Sequence, residues 1–125
     1  MQELIEEFIK QKKFAVIGAS DNPEKYGNRI VKNLNARGYE VYPVNPRLKE
    51  VEGLACFSSL ADIPCEVDVV DFVVPPAVTE EVLKQCKELG LKRIWLQPGS
   101  ENQLAIDYCR ENNLYVVYNV CVMLS

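Results

Sequence analysis

Residues 14–18 read Phe-Ala-Val-Ile-Gly (FAVIG), and residues 19–28 follow as ASDNPEKYGN. A short, unbroken apolar run closed by glycine suits a strand buried on both faces, as in a parallel sheet. The next ten residues are rich in Asn, Asp, Pro and Gly, which is loop composition. Asn28 is expected to cap a helix that uses Ile30, Val31 and Leu34, with Gly38 as its stop. Strand, loop and helix make one unit, and similar units recur along the chain. Tyr39–Val44 (YEVYPV) reads as a second strand, with Asn45-Pro46-Arg47 leaving its carboxyl end. Residues 49–57 suit a short strand or turn, and residues 59–63 (SLADI) a single helical turn closed by Pro64. Val67–Val74 is a third apolar strand, ended by Pro75-Pro76. A helix then runs to about Leu89, with Val78, Val82, Cys86 and Leu89 on one face. Pro76 is tolerated in its first turn and Gly90 stops it. Arg93–Leu96 (RIWL) is a fourth strand, followed by Gln97-Pro98-Gly99-Ser100. Ser100 or Glu101 is expected to open a helix carrying Leu104, Ala105, Tyr108 and Cys109. Tyr115–Tyr118 is a fifth strand. Upstream, Leu4, Ile5, Phe8 and Ile9 mark an amphipathic N-terminal helix within residues 1–12.

Strands alternating with helices imply parallel strands joined by right-handed crossovers. The fold class expected is α/β: a single three-layer, Rossmann-like domain over residues 1–125. Its five-stranded parallel sheet has helices on both faces and an expected strand order of 3-2-1-4-5. That order places the switch point, where such sheets hold ligands, between the first and fourth strands.

The chain has 125 residues, with 48% hydrophobic and 26% charged residues and a net charge of −4. This is ordinary globular composition, far from disordered or repetitive classes. The acidic balance argues against nucleic-acid and anionic-membrane partners. No apolar run approaches the length of a membrane span. The sequence holds no histidine. That excludes a Ser-His-Asp triad, a Cys-His dyad, a phosphohistidine and histidine-containing metal sites in this chain. Its five cysteines include no C-x-x-C pair. With no signal-peptide pattern at the start, they are expected as reduced thiols of a cytoplasmic protein.

The chemistry is expected in the loops leaving the strands. Gly18-Ala19-Ser20 leads toward a helix N-terminus, a phosphate-binding logic of small residues, free N–H groups and a positive dipole end. The spacing is not G-x-G-x-x-G, so a tight-turn glycine with no ligand is the alternative. At the end of the second strand an NAD site wants an acid for the ribose. Arg47 stands there instead and suits a ribose-bound phosphate, as in NADP or coenzyme A, if it is not a plain surface arginine. Val74, Pro75 and Pro76 offer an apolar edge to an adenine ring, or simply a strand end and a helix start. Gln97, Pro98 and Gly99 offer backbone contact with a ligand, or a plain turn. Cys121 follows the fifth strand and has no histidine to lower its pKa, so a buried inert thiol is the expectation. Asp68 suits the start of the third strand. Asp71 suits a bond to backbone N–H groups at its end. Trp95 is expected in the core.

Together these motifs resemble a known family: FAVIGASDNP, GYEVYPVNP, SLADIP, VDVVD, IWLQPG and a cysteine near the end. The chain is similar, over about residues 10–123, to small stand-alone CoA-binding proteins. These in turn resemble the N-terminal CoA-binding domain of the succinyl-CoA synthetase alpha subunit and of NDP-forming acyl-CoA synthetases. The resemblance implies coenzyme A as the ligand. It implies contacts from Gly18, Ala19, Ser20, Asn45, Pro46 and Arg47 to the phosphates, and an adenine wall from Val74, Pro75 and Pro76. A Ser-Tyr-Arg stretch of the family appears here as Tyr26-Gly27-Asn28-Arg29, which implies a secondary anion role for Arg29, with Tyr26 and Asn28 as further candidate contacts. Where relatives read Gln-Leu-Gly, this chain has Gln97-Pro98-Gly99. The synthetases phosphorylate a histidine carried outside this domain, so the resemblance implies binding of CoA or acyl-CoA without catalysis by this chain alone. An NADP-dependent reductase or redox sensor, and a CoA-binding subunit of a multi-chain acyl-CoA synthetase, are the alternatives. A mixed disulfide between Cys121 and CoA is a further one. A protein partner or homodimer is compatible with each, and no metal site is expected.

Overall fold

The computed structural model describes residues 1–125. The elements in chain order are α1 (Gln2–Ile9), β1 (Lys13–Ile17), α2 (Tyr26–Ala36), β2 (Glu40–Val44), β3 (Glu50–Val51) and β4 (Leu54–Ala55). Then come β5 (Val69–Phe72), α3 (Pro76–Leu89), β6 (Arg93–Leu96), α4 (Gln103–Glu111) and β7 (Tyr115–Tyr118). Short 3₁₀ turns occupy Leu60–Asp62, within the stretch read as one helical turn, and Val122–Leu124. Residues 49–57 fold back as the antiparallel β3–β4 hairpin.

Five parallel strands form the main sheet in the order β2-β1-β5-β6-β7. The architecture is the Rossmann-like α/β one, but the strand order is 2-1-3-4-5 rather than 3-2-1-4-5. The cause lies at the outer edge of β2. Pro43 lacks the N–H that a neighbouring strand would need. Its carbonyl instead accepts from Phe57 N at 2.9 Å, while Asn45 N donates to Phe57 O at 2.9 Å. The segment after β4 thus closes that edge, and the third long strand pairs with the free side of β1.

Strand alternation divides the core. Ala15 and Ile17 of β1 face one layer with Leu83, Cys86, Ala105 and Cys109 of α3 and α4. Phe14 and Val16 face the other with Ile5 and Phe8 of α1 and Ile30, Val31 and Leu34 of α2. Each large side chain buried this way contributes roughly 1.5–3 kcal/mol over its exposed state. The N-terminal helix therefore packs on its own sheet: the Phe8 ring lies 6.1 Å from Trp95, and Arg93 Nε pairs with Glu7 at 3.1 Å. Trp95 is core, as expected, and its indole donates to Val120 O at 2.8 Å. Asp68 accepts from the backbone of Lys12 and Lys13, which fixes the entry to β1.

Several local expectations shift. α2 begins at Tyr26, so Asn28 lies within its first turn and caps nothing. α4 is capped by Asn102, whose side-chain oxygen accepts from Ala105 N at 2.8 Å, rather than by Ser100 or Glu101. On α3 the buried stripe is Thr79, Leu83 and Cys86, and Val78 and Leu89 are exposed. Leu104 of α4 is exposed as well. No helix is long and apolar enough to cross a membrane.

Candidate ligand site

The chain leaves β1 toward α2 on one face of the sheet and leaves β5 toward α3 on the other. β1 and β5 are neighbours, so the switch-point crevice opens between the first and third strands, not the first and fourth. Gly18 forms its floor. Its φ is +91°, and a Cβ there would fall on Val73 O and Val74 Cγ1. Gly18 N and Ala19 N donate to Val44 O at 3.2 and 3.3 Å, which ties this turn to the end of β2. Asn45 holds both loops: Nδ2 donates to Ala19 O at 2.8 Å, and Oδ1 accepts from Arg47 N at 2.8 Å. The β5–α3 turn is braced from below. Val74 N donates to Ser100 Oγ at 3.0 Å, and Thr79 Oγ1 donates to Ser100 O at 2.8 Å.

Two adjoining cavities result. One, of about 780 Å³, lies between the β2 end and α3. Gly18, Asn45, Pro46, Arg47, Val74 and Pro75 line it, together with Ile17 and Val44. Ser58, Ser59, Leu60, Val78, Val82 and Gln85 complete its wall. Sequence reasoning missed these six. The first three belong to the excursion that folds back over β2, and the last three sit one helical turn apart on α3, facing the sheet edge. The other cavity, of about 330 Å³, lies at the start of α2, lined by Gly18, Ala19, Ser20, Lys25, Tyr26, Gly27, Asn45 and Val73. Gly18 and Asn45 belong to both and form the shared lip.

The remaining candidates lie elsewhere. Pro76 begins α3 and lines neither cavity. Arg29 is exposed on α2 and acts on Tyr26 through its charge. Asn28 is fully buried and donates to Ser20 O at 2.9 Å and Glu52 Oε2 at 3.0 Å, so it shapes the first loop from behind. Pro98 and Gly99 are exposed at a turn outside both cavities. Gln97 points inward: its amide donates to Asp71 Oδ1, and its carbonyl accepts from Val122 N at 3.1 Å. Two-residue alternation puts position 97 on the same face as buried Trp95.

Asp71 meets Gln97 rather than backbone N–H groups, and its Oδ2 has no partner within the chain. Burial pushes its carboxyl up to about 7, partly offset by the Gln97 hydrogen bond. Above it, Tyr26 Oη lies 2.7 Å from Cys121 Sγ. That hydrogen bond, with burial, pushes the Tyr26 phenol up to about 12. Cys86 and Cys109 are also pushed up to about 12 by burial, as expected of inert core thiols.

The crevice suits a nucleotide with phosphates. Gly18 and Gly27 let the ends of β1 and β5 and the start of α2 pack closely around the crevice, α2 directs its N-terminus into the smaller cavity, and Lys25 and Arg47 supply positive charge. The chain is similar to several known proteins. The alpha subunit of an ADP-forming acetate–CoA ligase II from Pyrococcus furiosus is 40% identical over 92 residues, covering 73% of this chain and 20% of that one. The uncharacterized protein YneT of Bacillus subtilis is 31% identical over 127 residues, covering 98% and 91%. A hypothetical protein from Pyrococcus horikoshii OT3 superposes with a TM-score of 0.92 at 39% identity, over 98% of this chain and 87% of its own. The chain spans about a fifth or less of the ligases it matches. Residues 12–125 match the CoA binding domain model, and the chain belongs to that family, related to the alpha subunits of ADP-forming acetate–CoA ligases.

Proposed function

We propose that this chain binds coenzyme A, free or acylated, across the two cavities at the carboxyl ends of β1, β2 and β5. The adenosine end occupies the larger cavity against Val74 and Pro75. The pyrophosphate crosses Gly18 toward the start of α2, and Arg47 meets the 3′-phosphate. The observation that carries this reading is the placement of Arg47 on the rim of an apolar cavity whose other lip is the Gly18 turn beside a helix N-terminus. Contacts from Asn45, Pro46, Ala19, Ser20 and Tyr26 follow from the same path. A complete ligase reaction would need domains that this chain does not span, so the reading includes a partner chain supplying them.

The test is a calorimetric titration of ligand-stripped protein with CoA, dephospho-CoA and NADP⁺ in parallel. CoA binding that weakens on loss of the 3′-phosphate supports the reading. Binding of NADP⁺ alone, or of no ligand, overturns it.

A further inference from the structure

Cys121 differs from the other four thiols. Cys86 and Cys109 lie in the core layer under α3 and α4. Cys65 precedes β5, at the amino end of the sheet, and Cys56 rests against the backbone carbonyls of Asn45 and Phe57. Cys121 alone is hydrogen-bonded to a cavity-lining side chain, Tyr26. Three side chains tether its segment: Trp95 to Val120 O, Gln97 to Val122 N, and Arg37 to Val122 O and Ser125 O. A second observation at the same place points to a ligand. Asp71 is wholly buried, acts through its charge on Tyr26, and has an oxygen that no donor in the chain satisfies. An unmatched buried acceptor is costly unless something donates to it. The amide-bearing tail of a CoA derivative carries such donors.

We propose that Cys121 is a thiol-exchange site for a CoA-bearing disulfide, with Tyr26 as the hydrogen-bond donor to its sulfur. The inference rests on the CoA reading above. The nucleotide end fills the larger cavity, the chain of the ligand crosses Gly18, and its sulfur end reaches Tyr26. A shift of the Tyr26 ring, which is 39% exposed, opens the sulfur beneath it. The Cys121 thiolate attacks one sulfur of CoA disulfide. A Cys121–CoA disulfide forms, the original S–S bond breaks, and its electron pair leaves on the second CoA as a thiolate, which takes up the proton Cys121 released. One disulfide replaces another, with no net oxidation. The Tyr26 hydroxyl donates to the attacking sulfur and holds it in place, while Lys25 and Arg29 add positive charge nearby.

The test starts from reduced, ligand-stripped protein mixed with CoA disulfide and, separately, with glutathione disulfide. Intact mass and peptide mapping follow the adduct. The expected result is one CoA per chain on Cys121, removed by a reductant, formed at least tenfold faster than the glutathione adduct and lost in Cys121→Ser. An adduct spread over Cys56 and Cys65, or equal rates for both disulfides, overturns the proposal. A parallel titration with desulfo-CoA, which cannot form the bond, separates the two readings. Binding of desulfo-CoA without any Cys121 adduct overturns this inference alone, and failure of desulfo-CoA to bind overturns the CoA reading beneath it. In the same assay Tyr26→Phe slows exchange with CoA disulfide severalfold, and an unchanged rate overturns the part given to Tyr26.

Discussion

Gly27 packs directly on Gly18: a Cβ on Gly27 would fall on the Gly18 carbonyl oxygen. The two are nine residues apart, outside the usual dinucleotide spacing, yet Gly27 does what the last glycine of that fingerprint does. It lets the first turn of a helix press on the end of the first strand. Gly27→Ala must push α2 away from β1. Overpacking of this kind costs about 1–3 kcal/mol. Gly18→Ala meets backbone atoms of Val73 as well and must also hold a φ of +91°, so it costs at least as much. Urea unfolding midpoints measure both losses. Under the CoA reading, both variants also lose affinity for CoA, because the turn shared by the two cavities moves.

Ser100 links two loops that sequence alone treats as separate. It is 3% exposed, accepts from Val74 N through its hydroxyl, and accepts from Thr79 through its carbonyl. Ser100→Ala leaves the Val74 N–H without that partner, at a cost of roughly 1–3 kcal/mol. The stability loss appears as a lower urea midpoint with an unchanged m-value. Weaker CoA binding accompanies it, since Val74 lines the larger cavity. Unchanged CoA affinity in a folded Ser100→Ala protein would separate the brace from the site.

The parallel strands were legible because FAVIG, and residues 67–74 around Asp68 and Asp71, are strongly apolar without alternation, the signature of burial on both faces. Their pairing was not, since neighbours in a sheet are chosen by contacts far apart in sequence. One local signal did exist. Pro43 within YEVYPV marks β2 as an edge strand, which is incompatible with the order 3-2-1-4-5. Within the candidate site, Gly18, Asn45, Arg47 and Val74 were readable because each lies within three residues of a strand end. Ser58, Ser59 and Leu60 were not, because the β3–β4 hairpin and the turn after it return them to that end from a distance. The side chain of Gln97 was not legible for the opposite reason. Gln97 follows a strand end, but its side chain continues the alternation of β6 into the core and meets Asp71.

Asp71 makes the stability of the fold depend on pH. Its carboxyl titrates near 3.8 when unfolded and about 7 in the folded chain, raised by burial. Below pH 3.8 both states hold the proton and Asp71 imposes no penalty. As the pH rises from there, the unfolded chain loses its proton first, and the folded state loses relative stability until the pH passes about 7. Three pH units correspond to at most about 4 kcal/mol. Asp71→Asn keeps an oxygen for Gln97 and places an amide where Oδ2 has no partner. It should remove this slope, leaving stability nearly flat between pH 5 and pH 8 apart from other groups. Urea unfolding of both proteins across that range measures the difference. A wild-type slope that persists in Asp71→Asn would assign the titration to another group.

Under the CoA reading, Arg47 carries the choice of ligand. Its backbone N–H is held by Asn45, so its side chain starts from a fixed turn on the rim of the larger cavity. A guanidinium forms a bidentate pair with a phosphate, and charged hydrogen bonds of this type contribute about 1.5–3 kcal/mol. Arg47→Ala should therefore weaken CoA by about that amount. The same change should hardly alter binding of dephospho-CoA, which lacks the 3′-phosphate. Arg47→Lys keeps the charge but not the fork and should fall between the two. Paired calorimetric titrations of each variant with both ligands give the answer. An equal loss for CoA and dephospho-CoA would move Arg47 from the 3′-phosphate to the pyrophosphate, and no loss for either would leave it as a surface cation.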